Sequence, residues 1–279
     1  MIAPPHAPQA YLTDERALLS SLMQDVQHNI HFNSIAAVLR AYGVQVPPHL
    51  GGNCVYHTLR LRALVQQHLP QADCQILAAH DGLHRALCVH LKGVGYILET
   101  AAMMPTKAQA IPSQGTTVSG IAFPIAGRNP VAQALFHQDA SGQIILTSAW
   151  TGPKGRSQRA HSFNLKDTDR DAAHLLSCKD YVRAVARADK ALIFRCFVQG
   201  FGFLVYFRKL GEAHSRFLTS ARATSEKVSD IGENNAALTA FLQTTGLSLA
   251  ALEASINAAQ DCLNLPELCG CGRHSNHDF

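Results

Sequence analysis

The stretch "GGNCVYHT", Gly51 to Thr58, places a cysteine where a helix is expected to begin. The apolar spacing from Cys54 to about His68 predicts a buried helix, which Pro70 ends. At the first turn of a helix, unpaired backbone N–H groups and the positive end of the dipole favour a thiolate and lower the thiol pKa. The two glycines allow close backbone approach. Cys54 is therefore a candidate nucleophile, and the alternative is a small buried hydrophobe.

A second stretch, "DGLHRALCVHLKGVGYILETA" (81–101), contains two strand-like runs around Lys92-Gly93 and predicts a tight hairpin. With the turn there, the numbers of opposed residues sum to about 184, so His84 lies close to Glu99 or the residue after it. A carboxylate would then orient the imidazole. A thiolate activated by a histidine that an acid orients is the general triad of acyl transfer.

Three other histidines compete with His84 for the role of base. His90 shares its strand face but sits beside the turn, and His80 precedes the strand. His57 lies one turn after Cys54 on the same helix and points away from the helix start. His84 is therefore the best candidate.

The order "GGNC", "HRALCV", "GVGYILE" resembles the arylamine N-acetyltransferase family. That family carries an Arg-Gly-Gly-Tyr-Cys-Phe-Glu motif, then a His that opens an apolar strand, then an Asp fifteen residues later. His84 and Glu99 are also fifteen positions apart. The segments "NIHFNSI" (29–35), "AWTGPKGRSQRAHSFNL" (149–165) and "AALTAFLQTTGLSLAAL" (236–252) are similar to the family's segment before the nucleophile, its central Trp and strand, and its C-terminal helix.

The resemblance implies an α+β fold with a cysteine-proteinase-like core. We expect an N-terminal helical bundle over 1–70 carrying the nucleophile, a central antiparallel β-barrel over 71–170 carrying the His and the acid, and a C-terminal α/β lid over 171–279. Several positions depart from the family motif: Leu50 and Asn53 replace its Arg and Tyr, Val55-Tyr56 replaces Phe-Glu, and the acid is Glu99.

The resemblance also implies a ping-pong acyltransferase in which Cys54 takes an acyl group, His84 is the general base and acid, and Glu99 orients His84. The donor would be an acyl-CoA or an acyl-carrier-protein thioester, and the acceptor a small amine or hydroxyl compound, as in natural-product biosynthesis. No permanently bound cofactor is expected. The predicted substrate-binding residues flank the nucleophile: Gly52, Asn53, Val55 and Tyr56.

Two other functions fit the same residues. A transglutaminase-like or papain-like amidase uses the same Cys, His, acid order, although no Trp neighbours Cys54 and the only Trp is Trp150. The other alternative is a non-catalytic relative that binds a partner or ligand in the cleft where the family carries out catalysis. Slow alkylation of the thiol would favour the non-catalytic alternative.

The composition excludes several further classes of function. The 279 residues are 47% hydrophobic and carry a formal net charge of +4, with Lys and Arg scattered, so we expect no nucleic-acid partner. Polar residues and glycines interrupt "ALIFRCFVQGFGFLVYF" (191–207), which predicts two strands and no membrane span. The prolines of the first residues argue against a secretory leader, and the eight cysteines are read as mostly reduced thiols in a cytoplasmic protein.

The remaining periodicity predicts helices at both ends of the chain. One begins with Thr13 as its cap, a second spans 33–43, and helical spacing returns after residue 234 with Ser248 as a cap. The C-terminal tail holds Cys269, Cys271, His274 and His277, but they are packed too tightly for one tetrahedral site, so no metal is predicted.

Overall fold

The structure is a computed structural model that describes residues 9–101, 107–121, 133–152, 155–218, 226–232 and 235–264. The α-helices in it are α1 Gln9–Asn29, α2 Ser34–Ala41, α3 Cys54–His68, α4 Lys179–Asp189, α5 Val228–Ile231, α6 Ala236–Thr245 and α7 Leu249–Asn264. Two short 3₁₀ helices span Pro48–Leu50 and Ala172–Leu176. The Cys/His-containing tail lies outside the described residues.

The strands follow each other mainly in the middle of the chain. They are β1 Phe32–Asn33, β2 Asp73–Ala79, β3 Arg85–Leu91, β4 Val94–Leu98, β5 Gln109–Ala110, β6 Thr117–Ile121, β7 Gln133–Gln138, β8 Gln143–Gly152, β9 Gly155–Thr168, β10 Ala191–Val198, β11 Gly202–Lys209, β12 Arg216–Leu218 and β13 Glu226–Lys227.

The larger sheet has eight strands in the order β5-β4-β3-β2-β9-β8-β7-β6, all antiparallel. It curls into a half-barrel. Helices come before and after this sheet in the chain, so the α+β fold class predicted from the sequence is confirmed. Short antiparallel strands joined by tight turns explain the alternating apolar pattern of the middle of the chain.

The β3–β4 hairpin turns at Lys92 and Gly93, which both have positive φ (48° and 80°) as a two-residue turn requires. Opposed residues, such as Leu87 and Leu98, have numbers that sum to 185. The predicted register was thus wrong by one position. His84 and Glu99 lie just beyond the paired ends of the hairpin, on its side away from the turn.

The smaller sheet has the order β1-β10-β11-β12-β13. The β10–β11 hairpin confirms the two strands predicted over 191–207. Strand β1 comes from the N-terminal third of the chain yet pairs with β10, which lies in the last third. The three domain boundaries, 1–70, 71–170 and 171–279, stay a prediction.

The helical predictions hold with one correction. Ser248 caps α7 through a hydrogen bond from the Ala251 N–H to its Oγ (3.1 Å). Helix α1, however, begins at Gln9, so Thr13 lies inside the helix and is not its cap. Ala10 and Leu12 favour a helix, which allows it to extend past the polar residue. None of the described helices has the length and apolar character needed to cross a bilayer.

A main core joins the helices to one face of β2–β4 of the larger sheet and to the smaller sheet, and a second core lies among β2–β4 and β7–β9 of the larger sheet. Phe241 of α6 is fully buried in the main core and contacts three aromatic rings of the smaller sheet: Phe194, Phe217 and Tyr206. The cysteines among the described residues form no disulfide.

The chain before Cys54 approaches the His31–Asn33 segment closely. The Gly52 N–H donates to the His31 carbonyl (3.1 Å), and the Asn33 N–H donates to the Gly52 carbonyl (2.7 Å). Gly51 has φ +70°, and a Cβ there would lie 1.9 Å from the His31 carbonyl oxygen. Both the backbone conformation and the lack of space therefore require glycine at position 51.

We expect Gly51→Ala to lower the free energy of unfolding more than Gly43→Ala does. Gly43 also has positive φ (+82°), but nothing lies within 4 Å of the place that a Cβ would occupy, so its substitution carries only the conformational term of about 1–2 kcal/mol. The clash at position 51 should add about 1–3 kcal/mol. Urea unfolding of the two variants measures the difference, and equal losses would contradict the close approach.

Candidate active site

Cys54 is the first residue of α3, and Asn53 caps this helix by accepting a hydrogen bond from the Tyr56 N–H at its Oδ1 (3.3 Å). The cysteine is 4% exposed. Its Sγ lies 3.6 Å from the Leu83 carbonyl oxygen and 3.3 Å from the Tyr181 hydroxyl. The thiol is thus held at a helix N-terminus, between the β2–β3 loop and α4.

His84 and Glu99 form a buried pair next to this thiol. The His84 Nε2 is 3.1 Å from the Glu99 Oε1, and the same oxygen accepts a hydrogen bond from the Ala101 N–H (2.6 Å). Their side chains are 7% and 1% exposed. Because Nε2 faces the carboxylate, Nδ1 is the ring nitrogen left for the sulfur of Cys54, whose pKa the imidazole lowers.

The pKa values of Cys54 and His84 move in opposite directions. Burial raises the pKa of Cys54, but hydrogen bonds from His84, Tyr181 and the Arg85 backbone N–H outweigh it, so the pKa lies below that of an ordinary thiol. Burial lowers the pKa of His84, but the hydrogen bonds and charges of Cys54 and Glu99 raise it by more. The pKa of His84 therefore lies above its ordinary value. The site therefore favours a thiolate beside an imidazolium.

Arg85 holds the loop that carries Leu83 and His84. Its Nε pairs with Asp169 Oδ2 (2.7 Å), and its Nη1 donates to the carbonyl oxygens of Gly82 (2.7 Å) and His84 (3.0 Å). Arg85 is buried. A buried guanidinium that bonds a carboxylate and two carbonyl groups fixes the β2–β3 loop in one conformation.

Tyr181, in the first turn of α4, was not predicted as a site residue. Its hydroxyl donates to the Leu83 carbonyl (2.9 Å) and lies in contact with the Cys54 sulfur. It is 127 positions from Cys54. Local patterns in the sequence carry no signal for a contact across that separation.

His161, on β9, was also missed. Its ring stacks on that of His84 with centroids 4.3 Å apart and an interplanar angle of 22°, and its Nδ1 lies 3.9 Å from Asp81 Oδ2. Phe163, two residues later on the same strand face, contacts His84 edge-on. Strand alternation over "AHSFNL" could have placed His161 and Phe163 on one face, but not against His84.

The four predicted substrate-binding residues, Gly52, Asn53, Val55 and Tyr56, make local contacts in this structure. Val55 is fully buried in the main core, and Asn53 caps the helix. The Tyr56 hydroxyl donates to the Pro48 carbonyl (3.3 Å), and its ring packs against Arg40. The side chains of Asn53, Val55 and Tyr56 therefore serve the fold, and substrate binding by the four residues stays a prediction.

The other histidines considered from the sequence lie in different surroundings. His57 is buried edge-on against the ring of Phe32, and burial lowers its pKa to about 4, so it is neutral at pH 7. His90 pairs with Gly95 beside the turn, at the other end of β3 from the thiol. Within the residues that the structure describes, no three His, Cys, Asp or Glu side chains are grouped as a metal site.

No protein-family model and no curated protein sequence matches this chain, but solved structures do. Arylamine N-acetyltransferase C from Bacillus anthracis aligns over 84% of this chain and 92% of its own, with a TM-score of 0.54 and 10% identity. The Mycobacterium marinum enzyme, solved in complex with CoA, aligns over 88% and 93% with a TM-score of 0.53 and 14% identity.

The chain has the arylamine N-acetyltransferase fold. A third structure with this fold, the Bacillus cereus enzyme described with a Cys-His-Glu catalytic triad, aligns over 83% of this chain and 90% of its own at a TM-score of 0.52 and 10% identity. The resemblance seen in the sequence is thus confirmed as a likeness of fold. In this chain, the arylamine N-acetyltransferase fold brings a Cys, a His and a Glu together.

We expect Glu99→Gln to raise the pKa of the Cys54 thiol by about 1 unit. Glu99 stabilises the His84 imidazolium, which in turn stabilises the thiolate, so loss of the negative charge favours the neutral thiol. Alkylation of Cys54 by iodoacetamide, followed across pH by peptide mass spectrometry, should slow about tenfold below the pKa. Glu212→Gln, in partly exposed ion pairs with Lys209 and Arg216 and far along the chain from Glu99, is the control for the loss of one negative charge. An unchanged profile in Glu99→Gln would contradict the coupling.

Proposed function

We propose that this protein is a cysteine-dependent acyltransferase, which moves an acyl group from a thioester to an amine or hydroxyl acceptor by a ping-pong mechanism. The observation that carries the proposal is the buried Cys54, His84 and Glu99 arrangement, with opposite pKa shifts on the first two, within this fold. Such an arrangement suits a nucleophile that must form and release a thioester bond.

In the first half-reaction the Cys54 thiolate attacks the thioester carbonyl carbon of the donor. The tetrahedral intermediate collapses as the bond to the donor sulfur breaks, and His84 gives its Nδ1 proton to the departing thiolate. Developing charge on the carbonyl oxygen needs N–H donors. The first turn of α3 supplies unpaired backbone N–H groups, and the Arg85 backbone N–H, which contributes to the lowered pKa of Cys54, is a further donor nearby.

In the second half-reaction neutral His84 accepts the proton of the amine or hydroxyl as that group attacks the acyl-enzyme. The C–S bond to Cys54 then breaks, and the thiolate and the imidazolium are restored together. Glu99 holds the ring with Nε2 toward the carboxylate throughout, so Nδ1 stays available for both proton transfers. The cycle needs no bound cofactor.

A CoA thioester is the donor we propose, because the Mycobacterium marinum structure with this fold contains CoA. A thioester on an acyl carrier protein offers the same reacting bond and is the alternative donor. Small amines and hydroxyl compounds are the proposed acceptors. The backbone N–H of Asn53, next to the nucleophile, is proposed to contact the acyl group, since the Asn53 side chain caps the helix and both backbone groups of Gly52 bond to the His31–Asn33 segment.

We expect wild-type protein incubated with acetyl-CoA and a panel of longer acyl-CoA and acyl-carrier thioesters to gain the mass of one acyl group on Cys54. Cys54→Ala should show no adduct, because the nucleophilic atom is gone. His84→Ala should acylate at least a hundredfold more slowly, because the thiolate and the proton donor are both lost. Intact-protein and peptide mass spectrometry measure the adduct.

Cys196→Ala provides the matched control, since Cys196 is a buried thiol whose pKa burial raises to about 12. It should acylate like the wild type. An adduct that persists in Cys54→Ala would overturn the assignment of the nucleophile. No adduct with any thioester, together with rapid alkylation of Cys54, would favour an amidase acting on a peptide-like bond; slow alkylation would favour a non-catalytic binding protein.

A further inference from the structure

Three polar atoms form a small triangle at the reactive sulfur. The Tyr181 hydroxyl oxygen lies 3.3 Å from the Cys54 Sγ and 2.9 Å from the Leu83 carbonyl oxygen, and the Sγ lies 3.6 Å from that same carbonyl. The cysteine and the tyrosine are 4% and 7% exposed. A buried hydroxyl in contact with a nucleophilic atom acts directly on its protonation state.

The number of protons available decides the hydrogen bonds in this triangle. When Cys54 is a neutral thiol, its S–H and the Tyr181 O–H are two donors, and the Leu83 carbonyl accepts. When the thiol proton moves to His84 Nδ1, the sulfur becomes a charged acceptor with no proton of its own. The tyrosine O–H is then the one side-chain proton left within the triangle, and a charged acceptor forms the stronger bond.

We propose that Tyr181 is a catalytic residue whose hydroxyl turns from the Leu83 carbonyl to the Cys54 sulfur and stabilises the thiolate. This hydrogen bond is a property of the free protein, while its effect on turnover rests on the proposed acyl transfer. When the sulfur forms a bond to the acyl carbon its charge is lost, and the hydroxyl returns to the Leu83 carbonyl. Tyr181 thus stabilises the Cys54 thiolate, while the proton that the thiol has lost stays on His84.

The surroundings of Tyr181 hold it in place for this role. Helix α4 carries it, and the Arg85 guanidinium carbon lies 5.7 Å from the centroid of its ring. Arg85 also fixes the loop that presents the Leu83 carbonyl. The same side chain therefore positions both the Tyr181 hydroxyl, which donates, and the Leu83 carbonyl, which accepts. The other titratable groups that act on the tyrosine or the thiol are His84 and Asp81.

The first test compares Tyr181→Phe with the wild type by pH titration of Cys54. The phenylalanine keeps the ring but removes the donor, and it leaves the thiol S–H as the donor to Leu83, so both changes favour the neutral thiol. We expect the pKa of Cys54 to rise by about 1 unit, and alkylation below the pKa to slow about tenfold. The ultraviolet absorbance of the thiolate, corrected with Cys54→Ser, gives the same pKa independently.

Tyr42→Phe is the matched control. Tyr42 packs against α4 through Lys179 and Arg183, which are cationic neighbours of its ring, and its hydroxyl takes no part in the triangle. Loss of the Tyr42 hydroxyl should leave the pKa of Cys54 and its alkylation rate across pH unchanged. Site-specific 3-fluorotyrosine at position 181 makes a stronger donor in an otherwise unaltered ring, so it should lower the pKa of Cys54, and this measurement stands even if Tyr181→Phe folds poorly.

A Cys54 profile that stays unchanged in Tyr181→Phe, or that shifts equally in Tyr42→Phe, would overturn the role of Tyr181. A raised thiol pKa with slower formation of the acyl-enzyme would support both this role and the proposed acyl transfer. A raised pKa in a protein whose wild type takes no acyl group from any thioester would support the hydrogen bond and reject the acyl transfer. The two proposals can therefore fail separately.

Discussion

The buried carboxylate of Glu99 constrains much of the molecule, because an ionised group that is 1% exposed destabilises a fold unless it is paired and hydrogen-bonded. Its partners come from separate parts of the chain. The Ala101 N–H bonds it locally, His84 reaches it from the other strand of the hairpin, and the buried Arg195 of β10 is attracted to it. One end of the larger sheet and the adjacent strand of the smaller sheet must therefore meet at this carboxylate for its charge to be compensated.

The buried Glu99 carboxylate also determines the reactivity of Cys54. A carboxylate that fixes an imidazole leaves the other ring nitrogen facing the thiol, and the start of α3 brings its unpaired N–H groups to the sulfur. Each of these groups favours charge separation between Cys54 and His84. The residues whose side chains flank the nucleophile in sequence, Asn53 and Val55, instead close the helix end and fill the core. Reactivity thus comes from contacts across the fold and from backbone groups more than from neighbouring side chains.

Local patterns were sufficient to predict helix α3, the β3–β4 hairpin and the closeness of His84 to Glu99, because each depends on residues close in sequence. The turn was predicted at Lys92 and Gly93, where it lies, but a two-residue turn there pairs residues whose numbers sum to 185, so the predicted sum of about 184 was one too low. Contacts between distant segments could not be predicted. Tyr181 reaches the sulfur, and His161 stacks on His84, only through the packing of α4 and β9 against the hairpin.

A backbone bridge between Phe32 and Gly52 connects the smaller sheet to the loop that precedes Cys54. On one side it holds the glycine loop before the nucleophile, and on the other β1 pairs with β10 of the smaller sheet. The segment of residues 31–33 thus contacts both β10 of the smaller sheet and the loop before the helix that presents the thiol. The position of the nucleophile therefore depends on backbone pairing with a strand more than a hundred residues away in the chain.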